Sequence, residues 1–335
     1  MAPLRVGIDL TPLALTRAGT ARHIRSLLSV LEPEPSLELR RYSFGGRAKP
    51  LVPVRDVAWY LAALPVLAKR DRLDVLHCPT VRAPFKSSVP LVVTVHDLAI
   101  LRQPEAFNAW TRGYTRVLQP RFMRAATRVI AVSEFTRREL IELLGVPEEK
   151  IRVIPNAVGE PFGITGPATA GDYVLAVSTL EPRKNLPRLV EAFRSAQLNG
   201  CELVVAGATG WGDVELGEGV RWVGEVGDEE LARLYRGARC VAYVSLYEGF
   251  GLPVLEAMAC GAPVVAGNSE VTLEVARSAA VLVDPLDPDA IARGLSEAIE
   301  RREELAPLGL EQARRFTWAE VGRATLEVYR EAAGA

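Results

Sequence analysis

Residues 248–256 read EGFGLPVLE. A run of strand length, Cys240-Val-Ala-Tyr-Val-Ser245, leads in. A helical pattern over 252–259 leads out and stops at Gly261. A strand, a glycine-rich elbow and a helix N-terminus leave backbone N–H groups able to meet an anion. Gly249 and Gly251 remove side chains where a ligand would approach the main chain. Glu248 precedes the helix and Glu256 lies about one turn inside it. Glycosidase carboxylates flank a single bond from opposite sides, whereas these two would look into one crevice. That suits two acceptors gripping different hydroxyls of one long ligand, such as a sugar nucleotide, with its diphosphate at the elbow. A βα turn that merely carries Gly and Glu accounts equally well for the spacing taken alone.

The rest of the chain repeats the strand–helix rhythm. In the first half, strands are expected at Leu4–Leu10, Leu37–Phe44, Asp74–Cys78, Leu91–Val95, Thr127–Val132 and Ile151–Asn156. A loop with Gly19 opens a helix over 20–31 but lacks the dinucleotide-binding glycine pattern. A second set of strands is expected at 173–177, 202–206, 220–223, 240–244, 263–266 and 280–283, again with helices between. The sequence GEPFGITGPATAG, residues 159–171, has no periodicity and reads as a hinge. This alternation specifies an α/β chain with two Rossmann-like parallel-sheet domains. The expected division is 1–160, 161–315, and a final helix over 316–335 in which Thr317 and Glu320 have capping-box spacing.

Composition narrows the function. The 335 residues are 49% hydrophobic and 24% charged, with a net charge of −1. Nothing in that balance draws the chain to nucleic acid or to an anionic surface as a whole. Cysteines 78, 201, 240 and 260 form no C-x2-C pair, which suits free thiols in a reducing cytoplasm better than a disulfide or zinc site. The chain starts straight into a strand, without a signal-peptide pattern. Two segments leave room for peripheral contact with the inner face of a membrane. Residues 57–69, with Trp59 and Tyr60, suit either an amphipathic surface helix or a core or lid helix. The expected helix 105–126 carries Arg112, Arg116, Arg121, Arg124 and, at or beyond its end, Arg128. It suits either attraction of an anionic acceptor or a solvated face, and Pro120 should break or kink it.

Two further sites carry chemistry. The strand Leu91–Val95 delivers His96 and Asp97 to its carboxyl end, where ligands bind in open α/β sheets. A histidine there can bond a ligand or move a proton. Asp97 reads as a cap or orienting group, and His77, ending a neighbouring strand, as structural. After the first strand of the second half comes Glu181-Pro-Arg-Lys-Asn185, where Arg183 and Lys184 place a planar fork and a point charge within reach of a diphosphate.

The run SLYEGFGLPVLEAMACGAPVVAGN, residues 245–268, resembles the donor-binding core of retaining glycosyltransferases of family 4, and its E-x7-E pair resembles their signature. So do AGTARHI, VTVHDLAILRQPEAF, AVSEFTRREL, VSTLEPRKNLPRLVEAF and FTWAEVGRATLEVYREA, so the resemblance spans nearly the whole chain. It implies a GT-B fold with the domains facing a cleft, and transfer of a hexose from a nucleotide sugar to a saccharide or lipid-linked acceptor. It further implies that Glu256 holds the ribose, Glu248 the hexose hydroxyls, Arg183 and Lys184 the diphosphate, and His96 the hexose near the reacting carbon. The elbow Gly249, Phe250, Gly251 and Leu252, and the first loop with Gly19, complete the expected donor site, with no metal and no cofactor. The overall style is closest to mannosyltransferases of polysaccharide assembly, which makes GDP-mannose the expected donor. Thr179 replaces the family's upstream Arg, His23 stands where Tyr is common, Val244 replaces a frequent Pro, and Glu270–Glu274 replaces a Ser-Leu-Pro-Glu turn. An epimerase or hydrolase of the same fold, or a binding protein without turnover, are the rival readings.

Overall fold

The computed structural model describes residues 3–14, 19–45, 55–104, 107, 109–210 and 214–334. The chain forms two compact units, one from Met1–Asn156 with Trp318–Ala335, the other from Ala157–Thr317. The chain thus crosses between units just before the glycine- and proline-rich stretch 159–171.

In the first unit, strands β1 (Leu4–Asp9), β2 (Leu37–Tyr42), β3 (Val75–Cys78), β4 (Leu91–Val95), β5 (Arg128–Ala131) and β6 (Ile151–Val153) form one parallel sheet in the order β2-β1-β3-β4-β5-β6. The second unit has β7 (Tyr173–Val177), β8 (Glu202–Ala206), β9 (Val220–Gly224), β10 (Cys240–Tyr243), β11 (Val264–Gly267) and β12 (Val281–Val283), ordered β12-β11-β10-β7-β8-β9. The central strands are runs of Val, Leu and Ala buried on both faces, as β4 and β7 illustrate, because helices cover both sides of a parallel sheet. In each sheet the strand order reverses beside the first strand of the unit, between β1 and β3 and between β7 and β10. At such a switch point neighbouring loops leave the sheet on opposite faces and open a crevice at the carboxyl ends.

Helices α1 (Gly19–Leu31), α2 (Leu64–Arg70), α3 (Ala99–Arg102), α4 (Ala109–Ala125) and α5 (Glu134–Leu144) belong to the first unit. As its sequence suggests, Ser133 caps α5 by accepting from the Thr136 N–H at 2.9 Å. The final helix α12 (Trp318–Ala333) is also part of this unit. It is tied to the sheet by Tyr329, 2.7 Å from His77 Nδ1, and by Glu331, which accepts from Arg128 at 2.9 Å and Arg152 at 3.2 Å. The other ring nitrogen of His77 lies 2.8 Å from the Thr94 hydroxyl, so this histidine is a buried structural bridge.

The alternatives left open for residues 57–69 are settled in this unit. A π-helical turn, Arg55–Ala63, leads into α2 and turns Trp59 and Tyr60 inward. Their Nε1 and OH groups donate to the buried Asp9 carboxylate at 3.2 and 2.9 Å. These aromatics belong to the core because their polar tips find a partner there, so they are not a membrane-facing stripe. Arg128, at or beyond the end of the basic helix and within the expected strand 127–132, is the first residue of β5 and pairs with Glu331 of α12. Helix α4 runs through Pro120 to Ala125, with Arg112, Arg116, Arg121 and Arg124 exposed. Among the described residues no helix is long and apolar enough to cross a membrane.

The second unit carries α6 (Leu186–Ser195), α7 (Asp228–Gly237), α8 (Leu252–Ala259), α9 (Glu270–Ala276), α10 (Pro288–Glu300) and α11 (Arg302–Ala313). Ser269 and Asp287 cap α9 and α10 through their side-chain oxygens. All four cysteines are unpaired, and burial pushes the thiols of Cys240 and Cys260 up to about 12.

Candidate active site

The switch point of the second sheet brings together two loops that are 60 or more residues apart in sequence. One leaves β7 as Ser178–Asn185, with a 3-10 turn over Pro182–Lys184. The other leaves β10 and forms the elbow before α8. They are joined by the Leu246 N–H donating to the Arg183 carbonyl at 2.8 Å. Asn185 stitches them more tightly. It adopts a left-handed backbone, φ 60°, that Asn tolerates better than most residues. Its buried amide donates to the Val244 carbonyl at 3.1 Å and to the Pro285 carbonyl at 2.6 Å. Gly251, at φ 102°, lets the chain turn sharply into α8.

At the centre sits Glu248. Lys184 Nζ donates to one carboxylate oxygen in a short contact, and Arg183 Nη1 lies 3.2 Å from the other. Burial alone would raise the pKa of this carboxyl. The adjacent Lys184 and Arg183 charges, with bonds from Lys184 and Ser245, outweigh burial and hold it near 2. Arg183 is held from its other side by Glu181, which accepts from Nε at 2.8 Å, and Nη1 also donates to the Tyr247 carbonyl at 3.2 Å. Glu181 in turn accepts from the Thr179 hydroxyl at 2.7 Å. The Lys184 ammonium stands 5.9 Å over the ring of Tyr243. Two cations and two carboxylates thus form one mostly buried cluster at the carboxyl end of the sheet, beside a helix N-terminus.

The remaining residues expected at the donor site in this unit lie on the elbow and on α8. Gly249 and Phe250 are buried, and Leu252 is partly exposed at the first turn of α8. Phe250 packs edge-on against Phe316, ring centres 5.8 Å apart. Glu256, buried within α8, accepts from the Tyr235 hydroxyl of α7 at 3.0 Å. Thr179, Glu181, Asn185, Tyr235 and Tyr243 escaped the sequence reading as site components. Only Asn185 left a local signal, directly between Lys184 and the Leu-Pro start of α6.

His96 and Gly19 belong to the first unit. Gly19 is the first residue of α1, and the loop residues 15–18 before it lie outside the described residues. His96 sits at the end of β4, with Nε2 3.1 Å from the Pro79 carbonyl at the end of β3. That carbonyl can only accept, so Nε2 carries the proton. Burial lowers the pKa of His96, against smaller opposing effects from Pro79 and Asp97. The neutral ring therefore presents Nδ1 as an acceptor. His23 of α1 packs edge-on against His96, ring centres 4.8 Å apart, and Trp318 of α12 lies against His23 at 5.5 Å. Burial first, then the neighbouring His96 and His77 rings, which would repel a second positive charge, keep His23 well below the usual histidine range. Asp97 accepts from the Ala99 N–H at 3.1 Å and so starts α3.

Other sites offer less chemistry. A cavity of about 680 Å³ lies at the opposite end of the second sheet, lined by residues such as Phe193, Cys201 and Val220, away from the ion cluster. Among the described residues no group of three or more His, Cys, Asp or Glu side chains is placed to hold a metal ion.

Two family profiles match consecutive parts of the chain. Residues 13–159 match "Glycosyltransferase Family 4" and residues 151–315 match "Glycosyl transferases group 1". The O-antigen chain mannosyltransferase B of Escherichia coli is 33% identical over 319 residues, covering 87% of this chain and 81% of that protein. The O-antigen chain mannosyltransferase RfbU of Salmonella typhimurium is 29% identical over 270 residues, covering 72% and 74%. Among solved structures, the sucrose-phosphate synthase of Thermosynechococcus elongatus superposes with a TM-score of 0.77 at 20% identity, covering 98% of each chain.

Proposed function

Because the chain belongs to glycosyltransferase family 4, has the GT-B fold and is a retaining hexosyltransferase, we propose that it moves mannose from GDP-mannose to a hydroxyl of a saccharide or lipid-linked glycan. The mannosyltransferase relatives at 33% and 29% identity support the choice of sugar. One observation carries the chemistry: Arg183 and Lys184 converge on the Glu248 carboxylate at the switch point between β7 and β10. A pair of cations that binds a buried carboxylate can bind a diphosphate in its place. Charge developing on the leaving diphosphate is then stabilised by groups already oriented before the bond breaks.

In this reading the N–H groups around Gly249–Leu252 face the diphosphate. Glu248, released from part of its ion pairing, accepts from hexose hydroxyls. Glu256 holds the ribose, and Tyr235 fixes its carboxylate. Neutral His96 accepts from a hexose hydroxyl near the reacting carbon through Nδ1. Gly19, the first residue of α1, contributes to the donor site.

Thermal unfolding tests the donor. A ligand that binds only the folded chain raises its melting temperature, so GDP should raise it more than UDP or ADP at equal concentration. A clear win for UDP removes GDP-mannose and leaves the phosphate site intact. Release of nucleoside diphosphate from the donor should require an added acceptor. Release at the same rate without one would point to a hydrolase instead.

A further inference from the structure

We propose that Glu181 is a positioning residue for the diphosphate, acting through Arg183. This deepens the proposed function and rests on its reading of Arg183 and Lys184 as the diphosphate site. The geometry is a relay. The Thr179 hydroxyl donates to Glu181 Oε1 at 2.7 Å, and Arg183 Nε donates to Glu181 Oε2 at 2.8 Å. Each oxygen of Glu181 is engaged by a different neighbour. The side chain is also boxed in by the next loop: a Cβ on Gly210 would lie 2.6 Å from Glu181 Cγ and 2.5 Å from the Leu180 carbonyl oxygen. The strand-end backbone is fixed as well, with the Leu180 N–H donating to the Ala208 carbonyl at 3.1 Å.

These anchors distinguish a scaffold from a latch. A carboxylate that merely occupies the site of the incoming anion would need freedom to swing away. Glu181 is held from two sides and by a backbone that leaves no room for a side chain at residue 210. It grips the Nε edge of the guanidinium, while Nη1 points to Glu248 and to the Tyr247 carbonyl at the elbow. Gripping one edge of a planar fork fixes the direction of the other. A flexible arginine would lose rotamer freedom on meeting a phosphate, and an oriented one has little left to lose. Glu181 therefore favours diphosphate binding even though its own charge is negative.

The test is a double-mutant cycle read by calorimetry. GDP, UDP and ADP are titrated into the wild-type chain. The tightest binder and its parent nucleoside are then titrated into Glu181→Ala, Glu181→Gln, Arg183→Ala, Lys184→Ala and the Glu181→Ala/Arg183→Ala double variant. Glu181→Ala should weaken the diphosphate roughly tenfold, on the scale of coupled neighbouring residues, and leave the nucleoside unchanged. In the Arg183→Ala background it should cost nothing further. Glu181→Gln, which keeps the shape and the Thr179 contact, should show a smaller loss and carries the test if the alanine variant does not fold. Tighter diphosphate binding by Glu181→Ala would make Glu181 a latch and overturn the proposal. So would an equal loss in both backgrounds, or a parallel loss of nucleoside affinity. If Arg183→Ala weakens the diphosphate while Glu181→Ala binds normally, the phosphate-site reading survives and Glu181 has no part in it. If Arg183→Ala and Lys184→Ala both bind like wild type, the phosphate-site reading itself fails and the Glu181 proposal falls with it.

Discussion

Each unit buries a carboxylate near the carboxyl ends of its strands, close to the point where the strand order reverses, and the two environments differ in kind. Asp9, at the end of β1, accepts from neutral donors: the Thr11 N–H and hydroxyl, Trp59 and Tyr60. Burial raises its pKa, and these hydrogen bonds only partly counter the rise. Glu248, after β10, meets two cations and is held near 2 despite burial. A charge surrounded by neutral hydrogen-bond donors locks local structure. A charge held by cations can be exchanged for another anion without leaving either cation unpaired. The same type of location thus holds a carboxylate among neutral donors in one unit and between two cations in the other, where the proposed function sets an incoming anion in its place.

The largest effect should come from removing a cation from the second site. Lys184→Ala should reduce kcat/KM about 10²–10³-fold, the range seen when one donor to a developing negative charge is lost. Asp9→Asn should leave nucleoside diphosphate affinity unchanged. Steady-state kinetics with calorimetry checks both. The comparison collapses if Asp9→Asn weakens the diphosphate as much as Lys184→Ala does.

Next in size is a division between binding and turnover. Interactions made equally in ground and transition states change affinity, whereas those made mainly in the transition state change rate. His96→Ala should cut transfer by roughly an order of magnitude, the scale of one hydrogen bond made mainly in the transition state, with diphosphate affinity nearly unchanged. Glu256→Ala should weaken the free diphosphate by about 1.5–3 kcal/mol. Titration with the diphosphate, paired with a transfer assay, measures both. Normal binding by Glu256→Ala and lost binding by His96→Ala would exchange the two roles.

The carboxylates should also respond to pH with opposite signs. Glu248 has a folded-state value of about 2 against an ordinary 4.5. Its stabilising contribution, roughly 3 kcal/mol at most, is present above 4.5 and lost as pH falls toward 2. The folded-state value of Asp9 is raised above 3.8, so its contribution is full below 3.8 and lost as pH rises through that higher value. The melting-temperature advantage of wild type over Glu248→Gln should shrink between pH 6 and 3.5. Relative to Asp9→Asn, wild type should gain over the same interval. Parallel slopes would mean the two carboxylates share one kind of environment after all.

What the sequence disclosed follows from how local each feature is. Strand runs such as LVVTV and YVLAV, the Ser133 cap and the EGFG elbow are written in adjacent residues, and the structure forms both strands, the cap and the helix after the elbow at the expected positions. The strand order is not local, so the meeting of the loops after β7 and β10 could be named only through resemblance. The partners of Arg183 lay as close as Glu181, yet a carboxylate two residues away reads in sequence as ordinary surface charge. Trp59 and Tyr60 stayed open between core and interface for the opposite reason. Their aromatic surfaces suit an interface, and the buried acceptor that draws them inward is Asp9, some fifty residues earlier. Arg128 opens β5, as the run 127–132 suggests, but its partner Glu331 lies 203 residues later in sequence and leaves no local signal.

The smallest effect expected is that of a chelator. A diphosphate leaving group carries charge that must be offset, by a metal ion or by fixed side chains. In the second unit Arg183 and Lys184 supply two positive charges on a turn held by the Leu246 bond to the Arg183 carbonyl and by the bonds of Asn185. Their counter-charge is Glu248, which in the proposed function gives way to the anion. A divalent cation would have to approach these two like charges to reach the same phosphates, at an electrostatic cost that grows in a mostly buried setting. Transfer should therefore proceed in EDTA at the rate seen without it, and added Mg²⁺ or Mn²⁺ should give no increase. The measurement is an initial transfer rate across a chelator series at fixed ionic strength, since screening alone alters charged binding. Loss of turnover in EDTA, restored by either metal, would break the comparison at its centre. Glu248 would then be holding two structural cations much as Asp9 holds its neutral donors, and the diphosphate would be neutralised elsewhere.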